Sequence, residues 1–105
     1  MDVVRIVDKV GLNSLIENER FENALIVGPA VLAPLEHATI ENCTFDGTPE
    51  SIFIEVPEGR RVLGVIGLRN TSFRRCEFRN VAIMGTPKAI REFRKGFSGP
   101  APTPA

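Results

Sequence analysis

Few side chains in this sequence are of the types that catalyse reactions or bind metal ions. The chain has one histidine, His37, and two cysteines, Cys43 and Cys76. No group of His, Cys and carboxylate residues has the spacing of a metal site. The interval from Gly59 to Gly64 lacks the Gly-Lys-Ser or Gly-Lys-Thr ending of a phosphate-binding loop. The sequence therefore predicts no metal, no cofactor and no catalytic residue, with His37 facing solvent at a corner of the fold.

The segment SIFIEVPEGR contains two carboxylates that a small enzyme could use, Glu55 and Glu58. A lone carboxylate with no visible partner is usually a surface residue, so we expect the protein not to be an enzyme. In the same segment apolar and polar residues alternate, with Ile52 and Ile54 on one side and Phe53 on the other. Phe53 then points either outward, as an exposed aromatic side chain available to a partner, or inward against the N-terminal segment.

Arginines are the most prominent residues that could bind a charged partner. Arg69, Arg74 and Arg79 each follow a large apolar residue by one position. If those apolar residues point inward at successive turns of the chain, the arginines lie on different outer faces and surround the fold. They are then solvated and paired with Glu77 and Glu92, or part of a protein interface, or a nucleic-acid surface. The predicted interaction surface comprises Phe53, Arg60, Arg61, Arg69, Arg74, Arg75, Arg79, Arg91, Arg94 and Lys95.

The zero net charge of the chain conceals a division between its two halves. Residues 1–58 hold 3 Lys and Arg against 11 Asp and Glu, and residues 59–105 hold 10 against 2, so the halves carry −8 and +8. If sequence order is also spatial order, as in a stacked repeat protein, the molecule is an electrical dipole. Because oppositely charged ends attract each other, the sequence predicts a homo-oligomer or a complex with another protein. Nucleic acid is the alternative partner, bound through the basic half.

The elements that position these residues are indicated by a five-residue apolar period. Neither a helix nor a straight strand keeps every fifth residue on one face, so the chain must turn a corner at each step. Such a chain is a β-solenoid, and small or β-branched residues two positions before the large ones share its interior. The large positions are Leu63, Leu68, Phe73, Phe78 and Ile83, with an earlier series of Leu35, Ile40 and Phe45, and the small ones are Ile66, Thr71, Cys76 and Val81.

The chain also repeats itself. FENALIVG at 21–28 aligns with FRNVAIMG at 78–85, and IENCTF at 40–45 aligns with LRNTSF at 68–73. With its five-residue step, the chain resembles the pentapeptide-repeat proteins, which implies right-handed coils with large and small residues stacked inside. A generic parallel β-helix of irregular coils fits equally well. The pattern F-x-N-x-x-I-x-G-P-A-V-L, followed by C-x-F-x-x-x-x-I-x-G, is similar to a group of small bacterial proteins, which implies this fold and no activity.

The same pattern gives positions to the cysteines and asparagines. Cys43 and Cys76 occupy the small inward position, as buried thiols. The register stacks Thr71, and not Cys76, on Cys43, so we expect no disulfide. The asparagines that follow the large residues by two positions are expected at left-handed corners, with amide ladders between coils. They are Asn23, Asn42, Asn70 and Asn80.

Segments at both ends are expected to close the solenoid. Residues 1–20 are predicted to form an N-terminal cap, because apolar residues at 3, 6, 7 and 10 suit one helical face, with a strand as the alternative for DVVRIV. Residues 21–85 form about two to three coils. Residues 86–97 form a capping helix that starts with Thr86 as N-cap and Pro87 and carries Ala89, Ile90, Phe93 and Phe97 on one face. Residues 98–105 are predicted to be a disordered tail.

Together these observations predict one domain, residues 1–97, with the fold of a mainly β, short right-handed solenoid. We expect it to serve as a non-enzymatic protein-interaction or self-assembly module. A content of 43% hydrophobic and 25% charged residues is typical of soluble proteins, and no apolar run is long enough to cross a membrane. The N-terminus has no uninterrupted apolar core of a signal peptide, which predicts a cytoplasmic location.

Overall fold

A computed structural model describes residues 1–60 and 62–100 of the chain, which are mainly β-strand. A 3-10 helix at Ile6–Lys9 and two α-helices, α1 at Pro49–Ile52 and α2 at Pro87–Arg94, complete the described elements. The strands are β1 Asp2–Arg5, β2 Leu15–Glu17, β3 Arg20–Glu22, β4 Ala24–Glu36, β5 Thr39–Glu41, β6 Cys43–Phe45, β7 Phe53–Glu55, β8 Ile66–Arg69, β9 Ser72–Arg74, β10 Glu77–Gly85 and β11 Phe97–Pro100.

The strands form parallel sheets in which the two halves of the chain are interleaved. Strand β8 lies between β2 and β4, and β9 lies between β3 and β5. Strand β10 pairs with β4 on one side and with β6 and β7 on the other. The prediction that sequence order is spatial order is therefore wrong. Because the basic strands of the second half lie between acidic strands of the first, the charges of the two halves are not separated along an axis.

The inward residues of the five-residue period form the core, as predicted. Leu68, Phe73, Phe78 and Ile83 are all buried, and so is Thr71. The rings of Phe21 and Phe73, on the adjacent strands β3 and β9, stack with their centroids 5.0 Å apart and an interplanar angle of 11°. Cys76 and Val81 are also buried, which confirms the column of small inward residues.

Two members of the predicted apolar series lie outside the core. Leu63 is 97% exposed, because it belongs to the turn before β8, and that strand begins only at Ile66. Leu35 is 53% exposed. Its strand shifts register between Pro34 and Glu36, so Pro34 takes the place opposite Leu68, and Leu35 is turned away from the interior.

Residues with left-handed backbone follow the strands and turn the chain at corners. The left-handed conformation predicted for the four asparagines is confirmed, since Asn23, Asn42, Asn70 and Asn80 have φ of 51°, 52°, 48° and 57°. Asparagine tolerates this conformation better than most residues because its short side chain bonds locally. His37 and Arg75 have the same conformation, with φ of 51° and 55°.

The N-terminal segment adopts the strand that was left open as an alternative. Strand β1 pairs with the first part of β4, and the 3-10 helix that follows it buries Ile6. The predicted single helical face is absent from this segment, because Val3 lies in the strand and is exposed. None of the helices in residues 1–60 and 62–100 is long and apolar enough to cross a membrane.

The C-terminal helix begins as predicted and ends early. The Thr86 side chain accepts a hydrogen bond from the backbone N–H of Ala89 at 3.2 Å, and Pro87 is the first helical residue. The helix ends at Arg94, so Phe97 does not continue its apolar face. Instead Phe97 starts β11, which pairs with β6 and includes residues 98–100 of the predicted disordered tail. The rest of that tail, residues 101–105, lies outside the described residues.

Candidate functional site

A row of three charged side chains crosses strands β2, β8 and β4. Arg69, at the end of β8, lies between Glu17 of β2 and Glu36 of β4 in the strand register. Its guanidinium nitrogens are 3.8 Å from a Glu17 carboxylate oxygen and 3.9 Å from one of Glu36. We call this trio the first charge row.

A second row with the same alternation crosses the three-stranded sheet. Arg74, at the end of β9, lies in register between Glu22 of β3 and Glu41 of β5. The Arg74 Nε atom is 3.6 Å from a Glu41 carboxylate oxygen. This trio is the second charge row. In both rows the arginine comes from the middle one of the three strands, and each of the two flanking strands contributes a carboxylate.

An open groove lies on the outer face of the three-stranded sheet. Its volume is about 580 Å³. Its walls are largely polar, and one end is formed by the corner residues Asn18, Asn70 and His37, which follow β2, β8 and β4. There the Asn70 amide donates a hydrogen bond of 2.7 Å to the Asn18 side-chain oxygen. The groove is therefore suited to polar and charged groups, and His37 faces solvent at this corner, as expected.

The outer edge formed by β2 and β3 pairs with no further described strand, and of its outward backbone groups the Leu15 carbonyl accepts a hydrogen bond of 2.9 Å from the Gly11 N–H. Among the described strands, β2 pairs only with β8, and β3 pairs only with β9. The opposite edge of the three-stranded sheet, β5, is different. The backbone of Gly96 packs so closely against the Ile40 carbonyl that no Cβ would fit between them. We therefore take the free edge to be β2 and β3, whose outward carboxylates are Glu17 and Glu22.

No protein-family model, curated protein or solved structure matches this chain. Its site must therefore be interpreted from its own geometry. Within residues 1–60 and 62–100, no group of three or more His, Cys, Asp and Glu side chains could hold a metal ion.

Nine of the ten residues of the predicted interaction surface are described by the structure, and these nine lie on several different elements. Arg69 and Arg74 belong to the charge rows, and Arg75 is the left-handed corner residue after β9. The others lie on several elements. Arg79 pairs with Glu77 at 3.4 Å, Lys95 pairs with Glu92 at 3.3 Å, Arg60 and Arg91 are exposed, and Arg61 lies outside the described residues.

Phe53 packs inward, which was one of its two predicted orientations, but its ring contacts are with residues 45, 97 and 94 and not with the N-terminal segment that was predicted to cover it. Its ring makes edge contacts with Phe45 and Phe97, with centroids 5.6 and 5.4 Å apart. The Arg94 guanidinium carbon lies 5.0 Å from the Phe53 ring centroid. Such a cation–π contact links α2 to β7, so Phe53 and Arg94 stabilise the C-terminal helix against this strand.

Sequence reasoning missed the four glutamates of the charge rows. The signal was present, since Glu17 and Glu22 are five residues apart, as are Glu36 and Glu41. Arg69 and Arg74 have the same spacing. Each of these three pairs of charged residues spans one five-residue step. When the three segments lie side by side, opposite charges can therefore meet at two successive turns of the chain.

The two cysteines lie opposite each other, so the predicted register of Cys43 with Thr71 is wrong. Glu77 pairs with Thr44, which places Cys76 beside Cys43, and the Cys76 backbone N–H donates to the Cys43 Sγ at 3.4 Å. A hydrogen bond from the Cys43 thiol lowers the pKa of Cys76 to about 7, although burial raises it. The same hydrogen bond, together with burial, raises the pKa of Cys43. Both side chains are reduced thiols.

Reversing the charge of either central arginine tests whether the rows contribute to stability. Arg69→Glu or Arg74→Glu places three carboxylates side by side, and we expect each to lower the free energy of unfolding by about 1 kcal/mol. The effect is modest because the Arg69 and Arg74 side chains are 44% and 54% exposed, and it should shrink as salt is added. Urea unfolding at low and high salt measures it.

Two further variants control this experiment. Arg91→Glu makes the same charge reversal on the exposed part of α2 and should change stability by less than about 0.5 kcal/mol. The double variant Arg74→Glu with Glu41→Arg should recover part of the loss, because it restores a pair of opposite charges. Equal losses in Arg91→Glu and Arg74→Glu would show that the rows have no specific role.

Proposed function

We propose that the protein is a non-enzymatic interaction module whose free β2–β3 edge receives an extended, basic segment of another protein. The observation that carries this proposal is the alternation of charge in the two rows. On the inner side of β2 and β3 lies the β8–β9 segment, with Arg69 and Arg74 opposite Glu17 and Glu22. A second segment of that kind on the outer side would continue both rows.

Backbone pairing supplies the affinity in such a complex, and side chains supply the selectivity. An extended peptide that adds to a free sheet edge satisfies the unpaired N–H and C=O groups of that edge. The carboxylates of Glu17 and Glu22 then select basic residues five positions apart, because the partner must turn the same corner after Glu17. Arg69 already shares its charge between Glu17 and Glu36, so neither carboxylate is fully neutralised.

A second copy of the chain fits this edge less well than a basic partner. The outward carboxylates of one free edge would meet those of another, and like charges directly opposite one another disfavour pairing. The attraction between oppositely charged ends, which led us to expect a homo-oligomer, no longer applies because the two halves are interleaved. Nucleic acid is also disfavoured at the charge rows, since its phosphates would approach the four glutamates together with the two arginines.

We also infer that the strands wind as a short solenoid in which two runs, residues 15–45 and 66–85, are interleaved. Three features support this winding. All described strand pairs are parallel, large inward residues recur every five positions, and left-handed corner residues follow equivalent strands. The right-handed sense and the likeness to pentapeptide-repeat proteins stay predictions.

A labelled synthetic peptide with the sequence of residues 66–75, IGLRNTSFRR, tests the proposed binding. We expect it to bind the full chain with an affinity that falls as salt rises, measured by fluorescence anisotropy. The double variant Glu17→Lys with Glu22→Lys should weaken binding by about 10-fold or more. The matched control is Glu50→Lys, an exposed carboxylate in α1, which should bind as the unchanged chain does.

Three outcomes decide between the partners. A peptide in which the arginines at positions 69 and 74 are replaced by glutamate should not bind, whereas binding of both peptides alike would refute selection by charge. No binding of either peptide would reject the free edge as a docking site. Sedimentation of the unchanged chain as a dimer, lost in Glu17→Lys with Glu22→Lys, would instead make a second copy the occupant.

A further inference from the structure

The two thiols face each other across adjacent parallel strands in the core. Cys43 begins β6, and Cys76 immediately precedes β10, with which β6 pairs. The Cys76 N–H donates to the Cys43 Sγ at 3.4 Å, and the next residue, Thr44, donates its N–H to the Cys76 carbonyl at 3.0 Å. Both side chains are buried. The pair is therefore held in one place by backbone bonds on either side.

Backbone carbonyls orient both sulfurs. The Cys43 thiol can donate to the carbonyl oxygens of Glu41 at 3.3 Å and Phe73 at 3.6 Å. The Cys76 thiol can donate to those of Phe21 at 3.4 Å and Arg74 at 3.5 Å. The Cys43 sulfur thus lies beside carbonyls of β5 and β9, and the Cys76 sulfur lies beside carbonyls of β3 and β9.

The separation of the two backbones suits a disulfide. Neighbouring strands in a sheet are about 4.8 Å apart. Bridged cysteines have Cα atoms roughly 4.4 to 6.8 Å apart, so residues directly opposite on such strands lie within this range. A bond between the sulfurs therefore needs side-chain rotation and no separation of the strands.

We propose that Cys43 and Cys76 form an intramolecular disulfide when the protein is exposed to a hydroperoxide, which ties β10 to β6. The Cys76 sulfur attacks one peroxide oxygen as the O–O bond breaks, giving a sulfenic acid and one molecule of water or alcohol. The Cys43 sulfur then attacks the sulfenic sulfur and releases a second molecule of water. Two thiols are oxidised, the peroxide is reduced, and the thiol protons leave in the two products.

The bond has a defined consequence because of the interleaved strands. Strand β10 belongs to the second run of the chain and β6 to the first. A covalent link between them restricts the unfolded chain, which loses the freedom of the loop from residue 43 to residue 76. The oxidised protein should therefore unfold at a temperature higher by about 10 °C than the reduced protein. Thiol reductants should reverse this change.

The test uses the full chain incubated with millimolar hydrogen peroxide and then denatured in the presence of an alkylating agent. We expect the intact mass of the protein to fall by two hydrogen atoms, with no thiol left to alkylate and no covalent dimer. A peptide digest should contain the linked segments around residues 43 and 76. The reaction should be slow compared with that of an exposed thiol, because both sulfurs are buried.

The single variants Cys43→Ser and Cys76→Ser serve as controls and should not lose two hydrogen atoms. If a variant does not fold, the unchanged chain still decides the question by its mass and thiol count. Two alkylatable thiols after prolonged oxidation would overturn the proposal. So would gains of oxygen without a crosslink, or a disulfide found only between two chains.

Discussion

Replacing Leu68 by alanine is expected to lower the free energy of unfolding by about 3 kcal/mol. Leu68 is fully buried in β8, the central strand between β2 and β4. It lies in register with Ile16 on one side and Pro34 on the other, so the truncated side chain would leave a cavity across three strands. For a domain of this size the thermal midpoint should fall by roughly 15 °C. Urea and thermal unfolding measure both quantities.

Leu63→Ala is the matched control, because it makes the same chemical change five residues earlier in the same series. Leu63 is 97% exposed, so its truncation should change the free energy of unfolding by less than about 0.5 kcal/mol. If the two variants lost the same stability, the start of β8 at Ile66 would be wrong. A neutral Leu68→Ala would mean that the five-residue series does not form the core.

The inward-facing residues could be predicted from the sequence, but the order in which the strands lie side by side could not. A five-residue step determines which side chain points inward at each turn, and Leu68, Phe73, Phe78 and Ile83 are buried accordingly. The step is the same in both halves of the chain, so it does not determine which strand lies beside which. Stacking β8 after β4 or inserting it between β2 and β4 buries the same residues.

The positions of the charged residues in the sequence indicate the strand order that the apolar residues leave open. If the strands stacked in sequence order, Arg69 and Arg74 would lie beside glutamates on one side at most. Because β8 and β9 are inserted between strands of the first half, both arginines have carboxylates on both sides. The error in the cysteine register has the same origin. Once β10 lies against β6, Cys76 is opposite Cys43, while Thr71 bonds to the Ile16 carbonyl at 3.2 Å in another part of the stack.

Local signals were reliable where a single residue determines the backbone. Thr86 and Pro87 start α2, and the asparagines turn the corners, as their short-range chemistry requires. The end of α2 could not be predicted in this way. Phe97 continues the helical period of Ile90 and Phe93, but it leaves the helix because the chain turns at Gly96 to pair with β6.

Replacing Gly96 by alanine is expected to lower the free energy of unfolding by about 3 kcal/mol. A Cβ at this position would overlap the carbonyl oxygen of Ile40 and lie 2.6 Å from the carbonyl carbon, and neither backbone atom can move without shifting β5. The Cys43 N–H donates to the Gly96 carbonyl at 3.0 Å, so displacement of residue 96 also breaks the first contact of β11 with β6. Hydrogen exchange should show faster exchange at Cys43 than in the unchanged chain.

Gly67→Ala is the control, because it adds the same methyl group beside side chains that can move. A Cβ at residue 67 would lie 2.7 Å from the ends of the Leu15 and Leu35 side chains, and Leu35 is half exposed and free to rotate. We expect a loss below about 1 kcal/mol. At Thr44, whose N–H donates to the Cys76 carbonyl, exchange should stay slow in both variants. A neutral Gly96→Ala would show that β5, and not only β2 and β3, is open to a partner strand.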